Sequence, residues 1–378
     1  MDLNEDAGIR YGAPVLAVCG FSGSGKTTLL EAAIPKLVER GLAVAVVKHD
    51  AHGFDVDKPG KDSDRLFRAG ATVALRGPQQ QFERRGATAT LSLETTLARL
   101  ACDHDMLLVE GHKDTPLPKL WLKSAEQVEV PESVTNVAQA LEWDGNRLAA
   151  LMEYVDQWLP RAWNARPLYR GLLIGGTSSR MGSPKQMMPF GGRMLGEIAA
   201  EALAGTAATG TEGNSRIVAL GMGVLPESLK ALAQLPDAPN FGGPGAALIA
   251  AHRWAPEAAW IVAACDHPWL SSEHIAWLAA QRQPGRWAVI PKQSDGHPCP
   301  MLALYEPQAL EYIARKAQAD KSRDARAAVL LDLPRTALVA PSAELAKGWD
   351  NVNTPQELRA EEEHLPRPQR SEVTGRKG

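Results

Sequence analysis

Cysteine is scarce in this sequence: there are four in 378 residues, Cys19, Cys102, Cys265 and Cys299, with no C-x-x-C pair among them. That scatter supplies neither a disulfide framework nor a zinc site, and it reads as free thiols in a reducing compartment. Two of the four fall in apparent strands, where a thiol behaves as a small buried apolar group. Long apolar runs are missing too. None approaches the roughly 18 to 20 residues that span a bilayer, so no membrane partner is expected. The opening MDLNEDAGIR is acidic and polar, unlike a secretory signal, which makes a cytoplasmic location the expectation. Nor does one sign of charge dominate. Lys and Arg number 41 against 44 Asp and Glu, a formal net charge of −3, so no basic field argues for nucleic acid.

What is present is ordinary for a globular protein: 44% hydrophobic and 22% charged residues, in a length that suggests two domains. The spacing of elements divides the chain into an extension over 1–12, a first domain over 13–158 and a linker over 159–168. A second domain over 169–365 and a disordered tail over 366–378 follow. Both domains alternate apolar strands with amphipathic helices, which predicts two α/β folds with mainly parallel sheets.

The first domain opens with a buried strand, Pro14 to Cys19, that runs into GFSGSGKTT. Gly20, Gly25, Lys26 and Thr27 satisfy G-x-x-x-x-G-K-[ST], and Gly23, Ser24 and Thr28 complete the loop. Loop amides and the following helix N-terminus attract phosphate oxygens, Lys26 reaches the terminal phosphates, and Thr27 ligates Mg²⁺. In that helix Leu29, Leu30, Ala33, Leu37 and Val38 are expected on one buried face, Gly41 stops it, and Pro35 is placed to kink it. After the strand Ala43 to Val47 comes KHDAHGFDVDKPGKDSDRLFRAGA, where His49, His52, Asp55 and Asp57 suggest either a metal cluster or a polar loop. A third buried strand, Asp105 to Gly111, carries an acid at each end. Ligands gather at the carboxyl ends of parallel strands, so Glu110 is the better candidate for the metal side. His112, just beyond it, reads equally as a loop residue. A helix through Leu148, Leu151, Met152 and Val155 closes the domain.

The second domain begins with LLIGGTSSRMGSPK. A strand delivers Gly175 and Gly176, whose lack of a Cβ admits a close ligand, and Arg180 and Lys185 supply two cations for phosphates. A helix over Met194 to Ala204 follows, then a strand over Ile217 to Gly221. Asp237 precedes a glycine-rich turn at Gly242 and Gly243. The run Trp260 to Cys265 delivers Asp266 at a strand end, where a carboxylate is placed to hold Mg²⁺ on a nucleotide. Lys321, Ser322 and Arg323 read as a solvated charged face rather than as a site for a phosphate of the second substrate. Asn351 and Asn353, ahead of Pro355, suit a turn before a proline-started helix as well as a ligand.

Two resemblances sharpen this reading. The segment from Lys48 to Ala71, with V-E-G at Val109 to Gly111, is similar to the signature of the molybdopterin-guanine dinucleotide adaptor proteins, which are phosphate-loop GTP binders. The glycine stretch at Leu172 to Lys185 resembles L-x-G-G-x-S-x-R-M-G-x-x-K, the opening of the nucleotidyltransferases that attach a nucleotide to molybdopterin. The second resemblance implies a Rossmann-like fold behind the phosphate-loop NTPase domain, with Asp266 of C-D-x-P as the Mg²⁺ ligand. It makes Arg180 and Lys185 catalytic, assigns Gly175, Gly176 and Asp237 to the nucleotide, and puts His297, Asn351 and Asn353 on the pterin side. This chain departs from the family at Gly245 and Ala247, where Leu and Gly are usual, and at Ile174, where alanine is usual.

The resemblances together imply a bifunctional enzyme that transfers GMP from Mg-GTP to molybdopterin and releases pyrophosphate. They also imply an adaptor domain with weak GTPase activity, and apo-molybdoenzymes and other molybdenum cofactor biosynthesis proteins as partners. The alternatives are cytidylyl transfer from CTP, a non-catalytic GTP-dependent carrier of the finished cofactor, and a small-molecule kinase using the phosphate loop. The Gly175-Gly176 pair favours GTP, because the CTP-using relatives tend to carry alanine at the first position.

Overall fold

The computed structural model describes residues 11–48, 56–86, 91–126, 129–174, 183–205, 217–320, 327–333 and 335–365. It divides into two compact units, Met1–Arg166 and Pro167–Gly378. No helix among the described residues is long and apolar enough to cross a membrane.

The first unit runs β1 (Val15–Gly20), α1 (Lys26–Glu39), β2 (Val44–Lys48), α2 (Asp62–Arg68), β3 (Val73–Arg76), β4 (Gln81–Arg84), α3 (Leu93–Ala101), β5 (Met106–Glu110), β6 (Lys119–Leu122), β7 (Val137–Leu141) and α4 (Arg147–Asn164). The main sheet has the order β2-β5-β1-β6-β7, with every pairing parallel. β3 and β4 form a separate antiparallel hairpin. Alternate residues of β1 face opposite layers, as the period of two requires. Leu16 and Val18 pack with Leu29, Leu30, Ala33 and Leu37 of α1 and Leu151 and Val155 of α4. Val15, Ala17 and Cys19 pack with Leu97 and Ala101 of α3 on the other side.

Two expectations need correction here. Val38 is 53% exposed rather than buried. Val38 lies about 100° round α1 from Leu37, and at that turn of the helix only Leu37 is buried in the core. The segment read as a linker over 159–168 is helical through Asn164, and Leu168 already opens a strand. Trp158, Leu159, Ala162 and Trp163 are buried and carry the helix across Pro160. Pro35 likewise sits inside an α1 that spans Lys26–Glu39.

The second unit runs β8 (Leu168–Leu173), a 3₁₀ turn at Lys185–Met187, β9 (Pro189–Phe190), β10 (Arg193–Met194), α5 (Leu195–Ala204), β11 (Ile217–Leu220), β12 (Gln234–Leu235), α6 (Gly245–Trp254) and β13 (Ala259–Ala264). There follow α7 (Ser272–Ala280), β14 (Ala288–Pro291), β15 (Leu302–Tyr305), α8 (Pro307–Ala319), β16 (Thr336–Val339), α9 (Ala343–Ala346) and α10 (Pro355–Glu362). The seven-stranded sheet has the order β12-β11-β8-β13-β15-β14-β16. All its pairs are parallel except those of β15, which is antiparallel to both β13 and β14. A hairpin joins β14 to β15 without a crossover helix, and that short return dictates the reversal. β8 and β13 lie side by side in the middle, so their carboxyl ends share one edge of the sheet. Cys19, Cys265 and Cys299 are buried and form no disulfide, Cys102 is half-buried with its thiol 3.5 Å from the Ala98 carbonyl oxygen, and Cys265 falls one residue past β13.

Candidate functional site

In the first unit the loop between β1 and α1 is shaped by close backbone approach. A Cβ on Gly20, at φ 151°, would stand 2.6 Å from the Leu122 carbonyl oxygen and 2.6 Å from Ser24 Oγ, so only glycine fits. Ser24 is fully buried beneath that turn. Lys26 bends its Nζ back across the loop and donates to the carbonyls of Gly20 at 3.0 Å and Phe21 at 2.7 Å. Burial lowers the Lys26 pKa, and the Glu110 carboxylate opposes that shift. Thr27 Oγ1 donates to Glu110 Oε1 at 2.8 Å, which joins the loop to the end of β5. Lys48, at the end of β2, stands 3.4 Å from the same oxygen. A glycine loop, a helix N-terminus and an ammonium therefore lie together, a combination that suits a phosphate group. Thr27 and Glu110 add a hydroxyl and a carboxylate, hard oxygen donors that suit Mg²⁺. Gly23, Gly25 and Thr28 lie on the same loop and first helical turn. Asp105, at the other end of β5, accepts from the Ala43 amide at 2.7 Å and ties that strand to the start of β2.

The charged segment after β2 is only partly described: His49, His52 and Asp55 lie outside the described residues. Asp57 accepts from Ser63 Oγ at 3.0 Å and stands 3.6 Å from Arg84. Beside it Asp64, only 2% exposed, accepts from Arg68 and Arg84 and from the Gly60 amide. These contacts hold the Asp64 carboxyl down at about 2, the backbone bond from Gly60 first and the two arginines next. His112, with φ 55° on the turn after β5, carries a carbonyl that accepts from Thr115.

In the second unit two distant stretches meet at the carboxyl edge of the sheet. β13 ends at Ala264, and Asp266 follows on the turn. Lys185 Nζ reaches Asp266 Oδ2 at 2.6 Å and lies 3.4 Å from Asn353 Oδ1 and 3.5 Å from the Val352 carbonyl. The Val352 amide in turn donates to the Asp266 carbonyl at 2.9 Å. Lys185 and Asp266 keep 25% and 13% side-chain exposure, so the pair opens to solvent. Beneath it His267 is buried, with Nε2 3.5 Å from Asp266 Oδ1 and 3.7 Å from Cys299 Sγ. Burial lowers the His267 pKa from an ordinary value already below 7, against the opposing pull of the Asp266 charge, so the ring is neutral at pH 7. Burial also pushes the Cys299 thiol up to about 12 and raises Cys265, which leaves both as unreactive thiols. The loop after β11 is pressed against the end of β8: a Cβ on Gly221, at φ 105°, would stand 2.1 Å from the Ile174 carbonyl oxygen.

A family model described as molybdopterin guanine dinucleotide synthesis protein B matches residues 15–141, and a MobA-like NTP transferase domain matches 171–334. The molybdopterin-guanine dinucleotide biosynthesis adapter protein of Haemophilus influenzae is 37% identical over 166 residues, 40% of this chain and 93% of the relative. The molybdenum cofactor guanylyltransferase of Rhizobium meliloti is 30% identical over 208 residues, 52% of this chain and 90% of the relative. The solved structure of molybdopterin-guanine dinucleotide biosynthesis protein A from Archaeoglobus fulgidus is 23% identical, covers 52% of this chain and 97% of its own, and has a TM-score of 0.40. The chain belongs to both families, one in each unit.

Against the MobA-like unit, Lys185, Asp266 and Asn353 come together, and Asn351 stands two residues before Asn353, half-buried. Asn353 also serves the turn: its amide donates to Glu357 Oε2 at 2.7 Å, and Thr354 Oγ1 caps α10. His297 stays on its own hairpin, exposed, with Nδ1 3.0 Å from Asp295 Oδ2. Asp237 sits on the loop ahead of α6, its carboxyl raised by desolvation. Gly175, Gly176, Arg180, Lys321, Ser322 and Arg323 lie outside the described residues.

Three contributors are absent from the sequence expectations. Arg147, the first residue of α4, donates to Ser24 O at 2.7 Å, Glu142 O at 2.7 Å and Lys123 O, and so braces the MobB-like loop from behind. Its signal was a cation on the first turn of a helix, where the macrodipole disfavours one. Gln186 is buried and donates to Val224 O at 3.0 Å, which anchors the loop after β11. Ser294 donates twice to Asp350, from its amide at 2.9 Å and from Oγ at 2.8 Å, and fastens the β14–β15 hairpin to the Asn351–Asn353 segment.

Proposed function

We propose that the second unit transfers GMP from GTP to molybdopterin, forming molybdopterin guanine dinucleotide and releasing pyrophosphate. The first unit binds GTP and assists synthesis of that product or its delivery to apo-molybdoenzymes. Membership of both families makes this a protein of molybdenum cofactor biosynthesis with a guanylyltransferase role. The observation that carries the finer reading is the meeting of Lys185, Asp266 and Asn353 at one open point of the sheet edge.

In the transfer, an oxygen of the molybdopterin phosphate forms a bond to the α-phosphorus of GTP as the bridge to the β-phosphate breaks. Such a reaction asks for in-line positioning and neutralised charge rather than side-chain nucleophiles. Lys185 neutralises phosphate oxygens as a mobile point charge, joined in this assignment by Arg180. The loop at Gly175 and Gly176, with Asp237, receives the nucleotide, while Asn351, Asn353 and His297 face the pterin. Asp266 in this unit, and Thr27 with Glu110 in the other, would hold Mg²⁺, which when bound offsets phosphate charge. The partly exposed carboxylate of Asp266 is a hard oxygen donor and fits that ion. Incubation of the full chain with molybdopterin, Mg²⁺ and each nucleoside triphosphate, followed by mass analysis, is expected to yield the guanine dinucleotide. A predominantly cytidylylated product, or no dinucleotide at all, overturns the proposal.

A further inference from the structure

The phosphate loop of the first unit accounts for a triphosphate but not for the base attached to it. Sheet order restricts where that base can go. β1 has β5 on one flank, carrying Glu110, and β6 then β7 on the other. Thr27 and Glu110 give the first flank to the metal, so a nucleoside has the flank formed by the carboxyl ends of β6 and β7. α1 and α4 pack together over one face of the sheet through Leu29, Leu30, Leu151 and Met152.

Between β7 and α4 the chain reads Glu142-Trp143-Asp144-Gly145-Asn146. Trp143 is a large apolar ring left 50% exposed. It is linked to the phosphate loop by a single guanidinium: Arg147 donates to Ser24 O at 2.7 Å while its Cζ stands 5.1 Å from the Trp143 ring centroid. The same Nη1 lies 3.7 Å from where a Cβ on Gly25 would be. Arg147 is held in turn by Glu142 O and Lys123 O, so the ring and the phosphate loop share one rigid brace. A cation over one face leaves the other face of the indole for a second aromatic plane. Asp144, next in sequence and exposed, carries an acceptor-only carboxylate. Guanine presents two donors on one edge, N1–H and the N2 amine, that match such a group. Adenine presents an acceptor at N1 and does not.

We propose that Trp143 and Asp144 form the base subsite of the first unit, with Trp143 stacking on a purine and Asp144 reading the donor edge of guanine. This rests on the reading of that unit as a nucleotide binder. The subsite would make the unit selective for GTP over ATP although its phosphate loop is indifferent to the base.

The test is equilibrium binding of GTP, xanthosine triphosphate, ATP and inorganic tripolyphosphate to the full chain. Binding that disappears in Lys26→Ala is taken as that of the first unit. Trp143→Ala is expected to weaken the Lys26-dependent binding of GTP roughly tenfold, the loss typical of one stacked base, while tripolyphosphate binding is unchanged. Asp144→Asn is expected to lower GTP binding and raise that of xanthosine triphosphate, because the new amide donates to the xanthine C2 carbonyl. That gain cannot arise from a misfolded protein. Unchanged GTP binding in both variants, or equal loss of GTP and tripolyphosphate, overturns the subsite and leaves the phosphate loop standing. Absence of any Lys26-dependent binding in the unaltered chain overturns the nucleotide reading and the subsite with it.

Discussion

At the scale of single residues, the chemistry proposed for the second unit depends on two charges that are both only partly exposed to water. Lys185 is 25% exposed and touches Asp266 rather than the core, so its removal leaves packing alone. Lys185→Ala is expected to lower kcat of transfer by roughly 10²–10³-fold, the usual loss for one charge-stabilising donor, with an unchanged thermal midpoint. Normal turnover by the folded variant removes Lys185 from the reaction. A different carboxylate reports on stability. Asp64 has its folded pKa depressed to about 2, below its ordinary 3.8, by Gly60, Arg68 and Arg84. A depressed carboxyl adds stability that is fully present above its unfolded value and is lost as pH falls through the folded one. Urea midpoints of the unaltered chain and Asp64→Asn should therefore differ by a constant amount above about pH 5, and converge as pH falls from about 4 to about 2. A gap that is independent of pH down to 2 would show that the ion pairs contribute nothing.

At the scale of elements, what could be read in advance was what local sequence controls. β1, α1 and β5 follow from apolar period and glycine placement, and so do Thr27, Lys26 and Glu110 on their ends. Asp266 was legible because it ends an unbroken apolar strand. What could not be read depends on partners far away in the chain. Arg147 meets Ser24 across 123 positions, Gln186 meets Val224 across 38, and Ser294 meets Asp350 across 56. Strand direction was illegible for a similar reason: β15 reads as any apolar strand, and only its hairpin return from β14 reverses it. The Ser294–Asp350 link gives the element scale its own prediction. Ser294→Ala keeps the amide bond to Asp350 and loses the hydroxyl one, loosening the segment that presents Asn351 and Asn353. A rise of roughly 3- to 10-fold in KM for molybdopterin, with kcat nearly unchanged, is expected from steady-state kinetics. Equal KM values would make the link purely structural.

At the scale of the whole molecule, each unit has its own sheet, its own apolar layers and its own cation and acid at a sheet edge. The two nucleotide sites are therefore expected to fail separately. Lys26→Ala should abolish GTP binding by the first unit, while transfer measured at saturating substrate stays within about twofold of the unaltered chain. Complete loss of transfer in that variant would mean that the sites act as one.

Arg147 also sets an order in time. During synthesis the G-x-x-x-x-G-K-T segment leaves the ribosome long before α4 does, and the brace behind Ser24 arrives 123 residues later. A nascent chain that has exposed the whole motif still lacks the side chain that steadies it. Its phosphate loop gains its native support only once the last helix of the first unit has been made and has docked.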